Sequence, residues 1–362
     1  MTKIIAFYLP QFHEVKENNE WWGKGFTEWT NVKKTRPLYE GHLQPRYPLN
    51  KFFYDLMEKD TVKKQTQLAN DFGIDGFAYY HYWFNGELLL EKPAENLLKW
   101  KEIKQNFFFF WANHSWYKAE NGKKEILKNQ NYGGSEDWKN HFEYMLKFFK
   151  DERYIKVDNK PVFGIYIPQD IPNYNEMIHK FNLWSKNAGF DGIYIINSVM
   201  NVKEINNIND ELSNNAILYR QPNISRQMVI RQRKIIRIKN KIHGLFNRPY
   251  LIRCNYDDIA SKEENINDYL KNNTNKEKCL CISTGWDNTA RHGHRGSVID
   301  NFTIKRFQSC FHKLFVDSNK MGNRFLFINA WNEWAEGMVL EPDNIFGYGL
   351  LEAIKEEKDN FY

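Results

Sequence analysis

Eight short apolar runs, each of five to eight residues and set apart by segments of helical pattern, constrain this chain more than any other feature. They are IIAFYL (4–9), IDGFAYYH (74–81), FFFFWA (107–112), VFGIYI (162–167), GIYIIN (192–197), AILYR (216–220), CLCIST (279–284) and RFLFINA (324–330). Runs this short and this continuously apolar belong to strands buried on both faces, and amphipathic stretches near 55–71, 136–149, 174–187 and 302–320 supply covering helices. Their alternation predicts a parallel sheet, and eight repeats predict its closure into a (β/α)8 barrel of the TIM type. The competing arrangement, a doubly wound open sheet, places a glycine-rich phosphate loop after its first strand, where this chain has LPQFHE. We therefore expect residues 1–362 to form one barrel domain, interrupted by a loop excursion over 10–53 and a basic helical insertion over about 222–278.

A barrel of this type presents its chemistry at the carboxyl ends of its strands. Those ends are polar here. Tyr8, Gln11 and His13 belong to the first; His81, Tyr82 and Trp83 to the second; Asn113, His114 and Trp116 to the third; Asn197 to the fifth. Trp286, Asp287, Asn288 and Arg291 follow the seventh, and Asn332, Glu333 and Glu336 the last. With 12 Trp, 20 Tyr and 27 Phe the chain has more large rings than a core of this size needs, and flat rings are platforms for sugar faces and bases. Many of the Phe, such as the run 107–110, read as core. Tryptophans clustered with Asn, His and Glu do not.

The last run leads into WNEWAEG, where Glu333 and Glu336 lie three residues apart beside Trp331 and Trp334. Burial against indole rings raises the pKa of one carboxyl group, while amides such as Asn332 keep the other ionised, so the pair acts as an acid and a base. Cleavage of a glycosidic bond needs that pairing. Trp286, Asp287, Asn288 and Arg291 are expected to hold sugar hydroxyls or a charged substituent, with a capped turn as the other role for Asn288. The polar residues at the first three strand ends are expected to contact the same ligand. Glu28, within GFTEWTN, is either a sugar-binding acid or the anchor of its loop, and Glu341 and Asp343 read as structural. No metal or cofactor is expected, since the chain has neither a CxxC pair nor HExxH.

These motifs carry a resemblance. WNEWAEG resembles the signature of the glycoside hydrolase family 99 endo-α-mannosidases. The ordered set AFYLPQFH, WWGKGFTEW, GHLQPRYP, GFAYYHYWF, WDNTARHG and WNEWAEGMVLEPD spans nearly the whole chain and resembles the WbsX proteins, relatives encoded among bacterial O-antigen and capsule genes. The resemblance implies a (β/α)8 barrel and a retaining hydrolysis. In it Glu333 deprotonates the sugar 2-hydroxyl to give a 1,2-anhydro intermediate, and Glu336 protonates the leaving group. Carboxylates three residues apart address O2 and the leaving oxygen together more readily than opposite faces of a ring. Ala335 stands where the mannosidases typically show His, so the mannoside is not carried across. The implied substrate is a bacterial surface polysaccharide or its precursor, cut internally. A glycosyltransferase of the same pathway is the second reading, although no DxD motif is present, and a glycan-binding protein without catalysis is the third.

The basicity of the chain is local. Its net charge is +6, yet residues 221–256 hold nine basic side chains (Arg226, Arg231, Arg233, Lys234, Arg237, Lys239, Lys241, Arg248, Arg253) and no acidic one. Met228, Ile235 and Ile242 recur every seven residues, with Ile238 and Leu245 interleaved, in an amphipathic helix pattern. Three roles fit: the outer face of a helix on the barrel, a peripheral membrane contact through 226–253, or contact with an acidic polysaccharide. Nucleic acid does not fit, because aromatic residues are not interleaved with these charges. The chain opens on a strand without a leader pattern, and no apolar stretch approaches the roughly 20 residues that span a bilayer. Cys254, Cys279, Cys281 and Cys310 read as free thiols of a reducing compartment. The expected location is the cytoplasm, peripheral to the inner face of the cell membrane where the basic segment binds lipid.

Overall fold

A computed structural model of the protein describes residues 1–120, 123–200, 215–222, 235, 238, 251–273 and 276–361. All eight expected strands form: β1 (Lys3–Tyr8), β2 (Gly76–Phe84), β3 (Phe107–Trp111), β4 (Lys160–Ile165), β5 (Tyr194–Val199), β6 (Ala216–Tyr219), β7 (Glu277–Ser283) and β8 (Phe325–Asn329). Each pairs in parallel with its neighbours, in the order β1-β8-β7-β6-β5-β4-β3-β2, and β2 pairs back onto β1. Ile5 thus lies opposite Phe327 across one seam and Gly76 across the other. The sheet is a closed barrel.

Helices α1 (Lys59–Asp71), α2 (Lys92–Lys99), α3 (Ser135–Phe149), α4 (Tyr174–Asn187), α5 (Tyr256–Asn273), α6 (Ile304–Lys320) and α7 (Gly349–Asn360) alternate with the strands. Four of them match the amphipathic stretches read from sequence. Within the expected insertion, Ile252–Asn255 is a strand paired with Ser297–Asp300, and α5 follows it and leads to β7. Most of the segment 226–253, with its expected membrane contact, lies outside the described residues. Among the described residues no helix is long and apolar enough to cross a membrane.

Rings fill the barrel interior. Phe7 stacks on Tyr80 at 5.3 Å and meets Phe110 and Phe327 at 5.0 and 5.4 Å between centroids. Phe110 fits only because β4 carries Gly164 opposite it, where a Cβ would overlap the ring. Gly164→Ala is therefore expected to cost about 1–3 kcal/mol through overpacking. Thermal melts should show a lowered midpoint, and Phe110→Leu in the same chain should recover part of it.

The excursion 10–53 is built rather than loose. It contains the short helices Lys16–Trp22 and Glu28–Val32, and its GHLQPRYP segment reaches the far end of the chain. Arg46, 6% exposed, donates from Nε to Asp343 at 2.7 Å, from Nη1 to Gly337 O at 3.0 Å and from Nη2 to Val339 O at 2.9 Å. The loop that follows β8 is thereby clamped from outside.

Candidate active site

The two glutamates of WNEWAEG are placed by backbone pairing. Past β8, Trp331 N–H donates to Phe7 O at 2.8 Å, so the chain continues beside β1. Asn332, fully buried, extends that seam, accepting from Leu9 N–H at 2.7 Å and donating to Leu9 O at 3.1 Å. A 3-10 turn over Trp334–Glu336 follows and closes on Gly337, whose φ of 65° is left-handed. A Cβ at Gly337 would also lie 2.8 Å from Asp287 N, so glycine is required by conformation and by space. Asp287 N–H donates to Glu336 O at 2.7 Å, fixing the second glutamate against the loop after β7.

Charge is concentrated around Arg291. Its Nη1 lies 2.5 Å from Glu336 Oε1, and its Nη2 lies 3.1 Å from Glu28 Oε1 and 3.8 Å from Glu333 Oε2. Burial works against the charge on Arg291, but Glu28, Glu336 and Glu333 raise its pKa overall. Glu28 and Glu333 each bury an Oε2 atom that meets no donor from the described protein. Burial pushes the Glu333 carboxyl up to about 8, with Glu336 adding to the shift and Arg291 opposing it.

That shift has a sign. The folded value lies above the roughly 4.3 of an unfolded glutamate, so the folded state keeps a proton that the unfolded state has lost. The contribution to stability is complete below the unfolded value and disappears as pH rises through about 8. Glu333→Gln, which needs no proton, should therefore gain in melting temperature relative to wild type between pH 5 and pH 8. An equal difference at both pH values would contradict the buried, proton-holding state.

Only some of the expected site residues face this cluster. Tyr82 turns inward, with Glu333, Arg291 and Glu28 as its charged neighbours. Trp116 meets Tyr82 edge-on at 5.2 Å, and His114 meets Tyr166 at 5.4 Å. Gln11 is buried at the loop that receives Glu28 N–H. His81 and Trp83 point the other way, because side chains alternate along a strand. His81 Nε2 lies 2.9 Å from His141 Nε2 of α3, and Trp83 stacks on His141 and donates to Asp137 at 3.0 Å. Tyr8 is also outward, donating to Gln65 of α1 at 2.7 Å. His13 is buried near Asp55 and Glu91, and burial lowers its pKa.

Other expected contacts serve the scaffold. Asn113 bonds both backbone groups of Ile167, and Asn332 bonds those of Leu9. Asp287 accepts from His42 and Gln44 at 2.8 Å each and from Thr289. Burial alone would raise its pKa, yet the bonds from His42 and Thr289 hold it below the usual range. Trp286 donates to Ser297 Oγ at 2.8 Å, and Asn288 accepts from Ser297 N–H at 2.7 Å. Trp331 and Trp334 point away from the mouth and donate to Glu341 at 3.1 and 2.8 Å. Glu341 also accepts from Gln65 and Tyr54, and burial pushes its carboxyl up to about 7 against those donors.

Two residues absent from the expected set belong to it by position. Tyr80 is the inward neighbour of Tyr82 on β2, and burial followed by the Glu333 charge raises its pKa. Arg220 stands immediately after β6, over the ring of Tyr166 at 3.4 Å from its centroid. The strand-end rule that marks the other residues would have found Arg220 as well.

The closed (β/α)8 barrel, with the buried Glu333 and the half-buried Glu336 just past its last strand, has counterparts among solved structures. The endo-alpha-mannosidase of glycoside hydrolase family 99 from Bacteroides thetaiotaomicron shares it, with a TM-score of 0.59 and 14% identity over 99% of this chain and 97% of that one. A structure described as a glycoside hydrolase-like protein aligns with a TM-score of 0.61 and 13% identity, covering 98% and 93% of the two chains. These likenesses establish the fold. The family comes from sequence: the model described as Glycosyltransferase WbsX matches residues 4–354, and the chain belongs to that family. Proteins from two strains of Xanthomonas campestris pv. campestris, described as uncharacterized protein WxcX, are 31% identical over 357 and 359 residues. The match covers 98% of this chain and 49% of each of them, so the chain spans about half the length of these curated relatives.

Proposed function

We propose that this chain is a retaining glycoside hydrolase, endo-acting on a bacterial surface polysaccharide of the O-antigen or capsule type, or on its precursor. One observation carries the reading. Glu333 is buried with an Oε2 that accepts no hydrogen bond from the described residues, its carboxyl is shifted towards neutrality, and Glu336 stands beside it in an ion pair with Arg291. A buried acceptor without a donor is costly, and a sugar hydroxyl supplies the missing hydrogen bond. The family 99 neighbours, described as endo-alpha-mannosidases, support the same reaction class.

In the proposed reaction Glu333 takes the proton of the 2-hydroxyl, O2 attacks the anomeric carbon, and the glycosidic bond breaks as Glu336 protonates the departing oxygen. Water then opens the 1,2-anhydro sugar with the two roles reversed, and two inversions amount to retention. In the unliganded site burial raises the Glu333 carboxyl to about 8 and Glu336 is paired to Arg291, so the reaction starts with a proton leaving Glu333. Arg291, 3.8 Å from Glu333, is near enough to follow the charge.

The family's description as a glycosyltransferase favours a second reading, transfer from an activated sugar. Incubation with the polysaccharide encoded by the protein's own gene cluster separates the two. Release of oligosaccharides with retained anomeric configuration, followed by NMR, supports hydrolysis. Turnover of a sugar nucleotide supports transfer, and binding without either product removes both.

A further inference from the structure

Among the described residues two guanidinium groups stand at this mouth, and they are neutralised differently. Arg291 is held by Glu336 and Glu28. Arg220 is 8% exposed and, among the described residues, has no carboxylate within ion-pair distance; its Nη2 reaches Met200 Sδ at 3.2 Å. It turns inward, since Ile217 and Tyr219, its alternates on β6, pack outward with Val199 and Tyr269. Its electrostatic neighbours are Tyr80, Cys281, Glu336 and Glu333, and burial lowers its pKa to about 10, which leaves it charged at neutral pH. Tyr166 lies under the guanidinium, and His114, whose buried Nδ1 has no partner, meets the same ring.

A charge buried without a counter-ion is strongly destabilising unless a ligand supplies one. Arginine is suited to this, because its planar fork takes two oxygens of a carboxylate or phosphate at once. The Arg291 side of the mouth would repel an anion more strongly, since Glu28 and Glu336 lie in direct ion pairs there, whereas Glu336 and Glu333 reach Arg220 only from beyond ion-pair distance. We propose that Arg220, backed by Tyr166 and flanked by His114, forms a subsite for an anionic substituent of the glycan, a sugar carboxylate or a phosphate. The substrate is then an acidic polysaccharide. This inference rests on the glycan-processing reading of the site.

The test is binding, followed by tryptophan fluorescence or ligand-observed NMR. The probes are the methyl glycosides of glucuronate and galacturonate, their neutral counterparts, and methyl glucoside 6-phosphate. Acidic probes are expected to bind at least about tenfold more tightly than neutral ones, the gain of a charge-assisted pair. Arg220→Gln should bring them down to the neutral level, and Arg220→Lys should keep part of the difference. The order of uronate and phosphate identifies the anion. Equal or absent binding of the acidic probes overturns the proposal, as does a preference that survives Arg220→Gln. Should that variant not fold, wild-type protein on a uronate polysaccharide and on its carboxyl-reduced form gives the same comparison. Acid-selective binding without oligosaccharide release leaves the subsite standing and removes the hydrolase reading. Release from neutral glycans with no acid preference does the reverse.

Discussion

Glu336→Gln is expected to lower oligosaccharide release by about 10²–10⁴-fold, the range of a lost general acid or base, and Glu333→Gln by a similar factor. The two losses should differ in kind. Without Glu336 the departing oxygen lacks its proton, so a substrate with an acidic leaving group, such as a dinitrophenyl glycoside, should recover much of the rate. Without Glu333 the 2-hydroxyl is not activated, and no leaving group compensates. The distinction matters because the unliganded site, with its proton on the buried Glu333 and Glu336 bound to Arg291, resembles the opposite assignment. Rescue of Glu333→Gln instead of Glu336→Gln would reverse the roles, and full activity in both variants would end the assignment of this pair as the catalytic acid and base.

Arg46→Met should destabilise the protein by about 3–5 kcal/mol, the usual cost of removing one partner from a buried ion pair. Asp343, 1% exposed, would lose its guanidinium, and the carbonyls of Gly337 and Val339 would lose their donors. Denaturant unfolding measures the loss. Asp343→Asn added to Arg46→Met should return part of it, because the stranded charge is then removed. The effect should also reach catalysis, since Gly337 adjoins Glu336 and its carbonyl is one of the Arg46 contacts. A variant with wild-type stability would mean that the excursion 10–53 does not hold the loop after β8.

The limits of sequence reading follow from particular residues. In GFAYYHYWF every residue is buried, so nothing in its polarity tells which face is inward, and His81 and Trp83 were expected at the mouth that Tyr80 and Tyr82 occupy. Trp331 and Trp334 flank the glutamates in sequence but point to Glu341, because the turn around Glu333 sends neighbours in opposite directions. Helix α5 has more charged residues than apolar ones, so hydrophobic periodicity does not separate it from the basic segment before it.

By itself the sequence determined the eight-fold alternation of strand and helix, the closed barrel it implies, and the delivery of Glu333 and Glu336 from the last strand. These are legible because hydrophobic periodicity and motif spacing are local properties. Only the tertiary structure decided which charges meet: Glu28 with Arg291, Arg46 with Asp343, and Arg220 with no carboxylate among the described residues. Partners such as Leu9 and Asn332 are 323 positions apart, and barrel closure brings them together. Burial at the closed barrel's mouth then raises the pKa of Glu333.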